Sequence, residues 1–286
     1  MSPEEIARAT ELRAADLLAL AGHGGRRAAA VQIADRPGTA PTRPRGQGHE
    51  IREIRPFVPG DDPRHLDPAA SARSGQMQVR SFHEDRDRSL FLIADFRRPM
   101  LWGSRRFRSL TAAEALARAG WQAVAAGGSV GCAAITDAGL QTARIGARTA
   151  GMARVAGCLV RAHALALSSV TLPVRPLAPD LARAARLAPR GATVVLASAL
   201  DDPGTELPAV AAAMLRRGKI VLLVPADPVE IAPPRVRLSW LDALGAAHRG
   251  RFAARGDTQQ DIRDRLAALG VTVRMLRSED AAEAAA

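Results

Sequence analysis

The chain has 286 residues, which is enough for one large domain with an appendage or for two small domains. Hydrophobic residues make up 47% of the chain and charged residues 24%, the balance of a soluble globular protein with a real core. The net charge of +11 comes almost entirely from Arg residues scattered near acidic residues, and aromatic residues make up only 3%, so the composition argues against nucleic-acid binding.

The amino-terminal segment begins as a helix and continues as an arm. Ser2, Pro3 and the two acidic residues after them are typical of a helix start, and we predict a helix within residues 1–25. Residues 26–47 are rich in Pro, Gly and Arg and are predicted to be an arm. The chain starts without a signal peptide pattern, and glycines interrupt its least charged stretch, so we predict a cytoplasmic protein with no integral membrane segment.

The densest charge pattern is "RPFVPGDDPRHLDPAASAR", residues 55–73. The strand-like runs "IREIRPF" and "QMQVRSF" flank it, and we predict a small β-rich element over residues 48–85. Asp62 can cap a short helix that Pro63 opens and that runs towards Arg73. We expect Asp61, Asp67 and Arg73 to form partly buried ion pairs that brace this element on the next domain, and the alternative is that they face a partner.

From residue 86 the pattern alternates between strand and helix. The apolar run "SLFLIADF" is typical of a buried parallel strand, and "SVGCAAITD" and "LQTARIG" are joined by a hairpin signal. We therefore predict an α/β fold with three layers and a mostly parallel Rossmann-like sheet over residues 86–280, followed by a tail at 281–286. Ligands of such sheets bind beyond the carboxyl ends of the strands, where this chain has Asp95, Asp137, Ser198 and Asp227.

The ordered motif from residue 48 to residue 95 resembles domain-of-unknown-function family 58, bacterial proteins related to the von Willebrand factor A domain. The matching residues are Gly48, Glu50, Arg52, Pro59, Gly60, Asp61, Asp62, Arg64, Leu66, Asp67, Ala72, Arg73, Gly75, Val79, Arg80, Glu84 and Asp95. The resemblance extends over most of residues 45–280 and implies a sheet of von Willebrand factor A type. It also implies association with MoxR-type AAA+ ATPases and with other von Willebrand factor A proteins.

Many von Willebrand factor A domains bind Mg²⁺ through an Asp-x-Ser-x-Ser loop, and the resemblance places Asp95 at the start of that loop. The two serine positions hold Arg97 and Pro99 here, and Ser198 is followed by Ala199 where relatives often have Asp. Asp201 or Asp202 could substitute as a displaced ligand, and either could equally cap the next helix. A guanidinium at a cation site and a missing hydroxyl predict a degenerate site, in which an ion pair between Arg97 and Asp95 replaces the metal. We therefore predict no cofactor, with Mg²⁺ as the alternative.

The leading hypothesis is a non-enzymatic adaptor or scaffold that works with a MoxR-type ATPase. The alternative is a metal-dependent binding module that uses Asp95 with displaced ligands. A hydrolase built on the pairs His49–Glu50, His65–Asp67 and His83–Glu84 comes third, because these pairs match no compact metal or catalytic motif. The residues predicted to bind a partner or to form the family signature are Glu50, Arg52, Gly60, Asp61, Asp62, Arg64, Asp67, Arg73, Arg80, Glu84, Asp95 and Arg97.

Overall fold

The computed structural model describes residues 3–23, 51–59, 61–82, 89–232, 236–241, 246–251 and 258–277. The chain divides into two compact units, a smaller one at Gln32–Asp87 and a larger one at Met1–Val31 with Arg88–Ala286. The domain boundaries predicted after residues 25, 47, 85 and 280 all lie outside the described residues, so they stay predictions.

The amino-terminal helix predicted from the sequence is divided in two. Helix α1 (Pro3–Thr10) ends before residues 11–13, and helix α2 (Ala14–Ala19) continues as a 3-10 turn at Leu20–His23. Leu17 on α2 is fully buried, and its carbonyl oxygen accepts a hydrogen bond of 3.0 Å from the indole of Trp121. Helix α2 therefore packs into the larger unit through Leu17, through the partly buried Ala14 and Leu18, and through this polar contact.

The smaller unit contains the two predicted strands as an antiparallel pair, β1 (Ile51–Pro56) and β2 (Gln78–Phe82). Two short helices separate them, a 3-10 turn at Pro63–His65 and helix α3 (Pro68–Ser74). A single helix from Pro63 towards Arg73 was the wrong prediction, because the Asp67 carboxylate accepts from the Ala70 amide at 2.9 Å and starts a new helix there. Gly75, at a φ of 69°, ends α3 in the left-handed conformation that favours glycine.

The larger unit is built on one six-stranded sheet with helices in the connections. Its strands are β3 (Ser89–Asp95), β4 (Ser129–Thr136), β5 (Gly139–Ala147), β6 (Thr193–Ala197), β7 (Ile220–Ala226) and β10 (Thr272–Arg277). Its main helices are α4 (Arg108–Ala125), α5 (Arg148–Ser168), α6 (Leu177–Arg186), α7 (Leu207–Leu215) and α9 (Thr258–Ala268). The spatial order of the strands is β10-β7-β6-β3-β4-β5, and every neighbouring pair is parallel except the hairpin of β4 with β5. A mostly parallel α/β sheet with that one hairpin confirms the sequence prediction.

The central strand β3 shows why the sheet is covered on both faces. Its side chains alternate between two cores: Leu90, Leu92 and Ala94 pack with α4 and α5, while Phe91 and Ile93 pack with α6 and α7. A strand buried on both faces requires a continuous apolar sequence, as "LFLIA" provides. The arrangement is therefore three layers, helix on sheet on helix.

Helix α5 is the one helix among the described residues that is long and apolar enough to cross a membrane. Half of its most apolar window is buried inside the protein, where Met152, Val155 and Leu159 belong to the core beneath β4. A core helix of a soluble protein meets the same criteria of length and composition.

Three elements of the larger unit were not predicted. Helix α8 (Pro228–Ile231) follows β7, and strands β8 (Leu238–Leu241) and β9 (Ala247–Gly250) form a separate antiparallel pair. The two strands have short mixed sequences, "LSWL" and "AHRG", without apolar alternation.

Candidate functional site

The strand order changes direction between β3 and β6. From β3 the chain proceeds to β4 and β5 on one side, and from β6 it proceeds to β7 and β10 on the other side. Open parallel sheets bind their ligands at such a point, in the crevice beyond the carboxyl ends of the two central strands. Here the crevice is bounded by residues 95–97 after β3 and residues 198–202 after β6.

The side chain of Arg97 fills this crevice. Its Nε donates to Asp95 Oδ1 at 2.9 Å and its Nη2 donates to Asp95 Oδ2 at 2.8 Å, so the ion pair is bidentate. The side chains of Arg97 and Asp95 are 0% and 1% exposed. Burial by itself lowers the pKa of Arg97, but the charge and hydrogen bonds of Asp95 raise that pKa more, and it lies above its usual value. The guanidinium of Arg97 is therefore charged in the folded protein.

The remaining donors of Arg97 bind backbone carbonyl oxygens from two other loops. Nη1 donates to the carbonyl oxygens of Arg175 at 2.5 Å and of Asp202 at 3.0 Å, and Nη2 donates to that of Asp201 at 2.8 Å. All five N–H groups of the guanidinium are thus used. Leu200 and Asp202 in the loop after β6 have positive φ angles of 59° and 41°, which is uncommon without glycine. Arg97 holds this unusual loop conformation in place.

The residues at this position do not fit a metal ion. The carboxylate of Asp95 accepts hydrogen bonds from Arg97 on both oxygens, and Oδ2 also accepts from Ser198 Oγ at 2.7 Å. A cation would have to displace a guanidinium that is covalently part of the chain and fully hydrogen-bonded. The ion pair predicted from the sequence is present in the structure, with Ser198 as a third member that orients the carboxylate.

The two other strand-end acids support loops. Asp137 accepts from the backbone amides of Arg98 at 2.6 Å and Arg175 at 3.0 Å, so it joins the loop after β3 to the loop before α6. Asp227 accepts from the amides of Ser104 at 2.7 Å and Val229 at 2.9 Å. Each carboxylate thus joins two backbone segments through its hydrogen bonds. Both acids therefore brace the crevice walls.

A second buried cation, Arg108, was not identified from the sequence. It is 1% exposed at the start of α4, and its guanidinium donates to Glu230 Oε1 at 3.0 Å, to Asp201 Oδ2 at 2.7 Å and to the carbonyl oxygen of Pro99. The same guanidinium lies 4.8 Å from the ring centre of Trp102. Burial lowers the pKa of Arg108, and Glu230 opposes that effect. No sequence signal separates Arg108 from an exposed helical Arg, because its acidic partners come from distant segments.

The loop after β6 therefore connects the two buried arginines. Asp201 offers its carbonyl oxygen to Arg97 and its carboxylate to Arg108. The sequence allowed two roles for Asp201, a displaced metal ligand or a helix cap, and the structure places it in the second buried ion pair. Arg97, Asp95, Ser198, Asp201, Arg108 and Glu230 are called the crevice network below.

Apart from Asp95 and Arg97, the signature residues lie in the smaller unit. Asp61 forms a bidentate ion pair with Arg55, whose Nη2 donates to Oδ1 at 2.6 Å and whose Nη1 donates to Oδ2 at 2.8 Å. Oδ2 also accepts from the Val58 amide. Asp67 is buried as the cap of α3, and Arg73 is exposed without an ion-pair partner among the described residues. Asp61 therefore forms a partly buried ion pair as predicted, with Arg55 as its partner. The prediction is wrong for Arg73, which is exposed, and an ion pair of Asp67 stays a prediction.

The other signature positions are described only in part. The Asp62 side chain caps the 3-10 turn by accepting from the Arg64 amide at 2.9 Å, and Arg64 itself is exposed. Glu50, Gly60 and Glu84 lie outside the described residues, as do the side chains of Arg52 and Arg80.

The proposed His–acid cluster falls partly outside the described residues as well, since His49, Glu50, His83 and Glu84 are not among them. Within the described ranges, no group of three His, Cys, Asp or Glu side chains is arranged to hold a metal ion. Cys132 and Cys158 are both buried and are free thiols.

Comparison with protein families identifies the chain. The profile described as "Protein of unknown function DUF58" matches residues 53–268. The chain belongs to the DUF58 family. The match runs from β1 in the smaller unit to the last residue of α9, so it includes the signature segment from residue 53 onward and the whole crevice network of this DUF58 protein.

Two solved structures are similar to this DUF58 protein over 69% of its chain and 95% of their own. One is a conserved hypothetical protein BatB from Bacteroides thetaiotaomicron, with a TM-score of 0.44 and 13% identity. The other is an aerotolerance-related membrane protein from Bacteroides fragilis NCTC 9343 carrying multiple mutations to serine, with a TM-score of 0.41 and 16% identity. No curated protein matches the chain.

Proposed function

We propose that this protein is a non-enzymatic adaptor whose ligand crevice is permanently closed by its own side chain. The observation that carries the proposal is the Arg97 guanidinium, which occupies the crevice at the centre of the sheet with all of its donors bound. A crevice filled in this way leaves no room for a substrate or a catalytic cation beside Asp95. The protein then acts by contact with other proteins, on surfaces that the buried network keeps rigid.

The partner class follows from the family resemblance, which associates such proteins with MoxR-type AAA+ ATPases. In this proposal the adaptor is cytoplasmic, and other von Willebrand factor A proteins are further partners. The chain lacks a Gly-x-x-x-x-Gly-Lys-Ser/Thr loop, so the ATPase activity belongs to the partner.

The test is a pull-down with a purified MoxR-type ATPase from the same organism, with ATP and Mg²⁺, with ADP, and without nucleotide. An unrelated AAA+ ATPase is the matched control. We expect a complex with the MoxR-type ATPase alone, whose amount depends on the nucleotide. Absence of binding in every nucleotide state would overturn the adaptor proposal.

A second measurement separates the adaptor from the metal-dependent alternative. The melting temperature of the protein alone is followed while Mg²⁺ is added up to millimolar concentrations. If the crevice is closed, Mg²⁺ should change the melting temperature only as much as Na⁺ does at equal ionic strength. A specific and saturable stabilisation by Mg²⁺ would favour the module that binds metal through Asp95.

A further inference from the structure

A small open pocket lies at the same edge of the sheet, displaced from the closed crevice. It has a volume of about 220 Å³ and is bordered by the ends of β6, β7 and β10 together with the start of α9. Its polar lining comes from Arg108, Glu230, Gln259, Gln260 and Arg263. Because it lies beyond carboxyl ends of parallel strands, it has the position in which this class of sheet binds ligands.

The charges around the pocket leave one cation without an acidic partner. The carboxylates of Glu230 and Asp201 are both bound to Arg108. Arg263 is half-buried and forms no ion pair with any described residue, and its Nη2 donates to the amide oxygen of Gln260 at 2.6 Å. An anion entering the pocket would therefore meet a guanidinium whose charge no described carboxylate balances.

Arg108 also lines the pocket, but its side chain is 1% exposed and its guanidinium is already bound to Asp201 and Glu230. The principal contact for an anion in the pocket is therefore Arg263.

The rim and size of the pocket restrict the ligand further. Ile231 and Met275 line it and remain about half exposed, at 54% and 49%. Pro225 and Ala226 add apolar surface from the end of β7. A volume of about 220 Å³ is below the range of pockets that hold drug-sized ligands and suits a group the size of one amino-acid residue.

We infer that this pocket binds a carboxylate attached to a small apolar group, with Arg263 as the principal anion contact. The carboxyl-terminal residue of a peptide and a free small organic acid share this chemistry. The inference concerns a different site from the closed crevice, and it stands whether or not the adaptor proposal holds.

The first test compares N-acetyl-L-leucine with N-acetyl-L-leucinamide, which differ only in the carboxylate. Binding is measured by isothermal titration calorimetry and by saturation-transfer NMR on the full chain. We expect the acid to bind at least about tenfold more tightly than the amide, because the amide forms no ion pair with Arg263. Equal affinity for the two probes, or no binding of either at about 10 mM, would overturn the inference.

Matched variants localise the binding. Arg263→Gln should weaken N-acetyl-L-leucine at least about tenfold, whereas Arg265→Gln, on the exposed part of the same helix and outside the pocket, should leave the affinity unchanged. Ile231→Asp places a negative charge on an exposed rim position and should also weaken the acid. Equal affinities of Arg263→Gln and wild type would assign the binding to another place and refute the site.

Peptides distinguish the two sources of the carboxylate. A pentapeptide ending in leucine is compared with its carboxyl-terminal amide and with N-acetyl-L-leucine. Tighter binding of the free-acid peptide than of N-acetyl-L-leucine identifies a peptide terminus as the occupant, and weaker binding identifies a small organic acid. A peptide amide that binds as tightly as the free-acid peptide would contradict a carboxylate site.

Discussion

Replacing Arg97 by Met tests how much the closed crevice contributes to stability. The variant keeps a long apolar side chain but removes the partner of a carboxylate that is 1% exposed. Loss of one member of a buried ion pair costs about 3–5 kcal/mol, because the remaining charge stays desolvated. Three backbone carbonyl oxygens, those of Arg175, Asp201 and Asp202, lose their donor as well. We therefore expect a loss at or above the upper end of that range.

The assay is urea unfolding followed by far-UV circular dichroism, with Arg13→Met as the matched control. Arg13 pairs with Glu11 at 3.1 Å, but the two side chains are 61% and 55% exposed, and such a pair contributes at most about 1 kcal/mol. In a domain of this size, a loss of about 4 kcal/mol corresponds to a melting temperature lower by roughly 8–16 °C. An Arg97→Met variant no less stable than Arg13→Met would show that the buried ion pair does not contribute the expected stability.

The double variant Asp95→Leu with Arg97→Met separates the ion pair from the carbonyl contacts. Removing both charges eliminates the unpaired carboxylate, and buried ion pairs replaced by apolar residues are often neutral. The three carbonyl oxygens still lack a donor, so we expect the double variant to be more stable than Arg97→Met but less stable than wild type. A double variant no more stable than Arg97→Met would show that the carbonyl contacts alone account for the loss.

Three further predictions follow from the same structure. Arg97→Ser with Pro99→Ser restores two hydroxyl ligands beside a freed carboxylate, and we expect Mg²⁺ to raise its melting temperature while that of wild type stays unchanged; no shift would show that the loop geometry itself excludes the cation. Burial lowers the pKa of His163 from 6.5 to about 4. The free energy of unfolding should therefore be highest above pH 6.5 and fall by about 3 kcal/mol as the pH is lowered to about 4, because the unfolded chain binds a proton that the folded protein does not. In urea unfolding, the free energy of unfolding of His163→Gln should depend less on pH over that range than that of wild type. Asp67→Ala removes the cap of α3 and should speed hydrogen exchange of the helix amides by about fivefold, about 1 kcal/mol, whereas Arg73→Ala should leave exchange unchanged.

The order of strands and helices could be predicted because each relies on local patterns. The run "LFLIA" in β3 is apolar throughout because both of its faces are buried, and Asp137 with Gly139 gives the hairpin its turn. The spacing of apolar residues predicts one continuous amino-terminal helix, but residues 11–13 are not helical and separate α1 from α2. Strands β8 and β9 lack alternation, so only their mutual pairing defines them.

The candidate site was predictable where its members are neighbours in sequence. Asp95 and Arg97 are two residues apart, and a cation-site position occupied by Arg is itself a signal for an ion pair. Arg108 pairs with residues 93 and 122 positions away, and no single-sequence pattern reports such a distance. The sequence could not decide between a metal ligand and a helix cap for Asp201 for the same reason, because the partner of its carboxylate, Arg108, is 93 positions away.

An arginine and a magnesium ion in this crevice differ in one respect that bears on function. A bound cation exchanges with solvent. If a partner binds by coordinating that cation, its affinity depends on the metal concentration. A guanidinium is tethered to β3 and carries its charge at every physiological pH, so the crevice keeps one conformation. The loop after β6, held by Arg97 at the carbonyls of Asp201 and Asp202, is then fixed in its left-handed conformation without an effector. In the proposed adaptor we therefore expect regulation to act outside the crevice, for example through the nucleotide state of an ATPase partner or through a ligand in the pocket at Arg263.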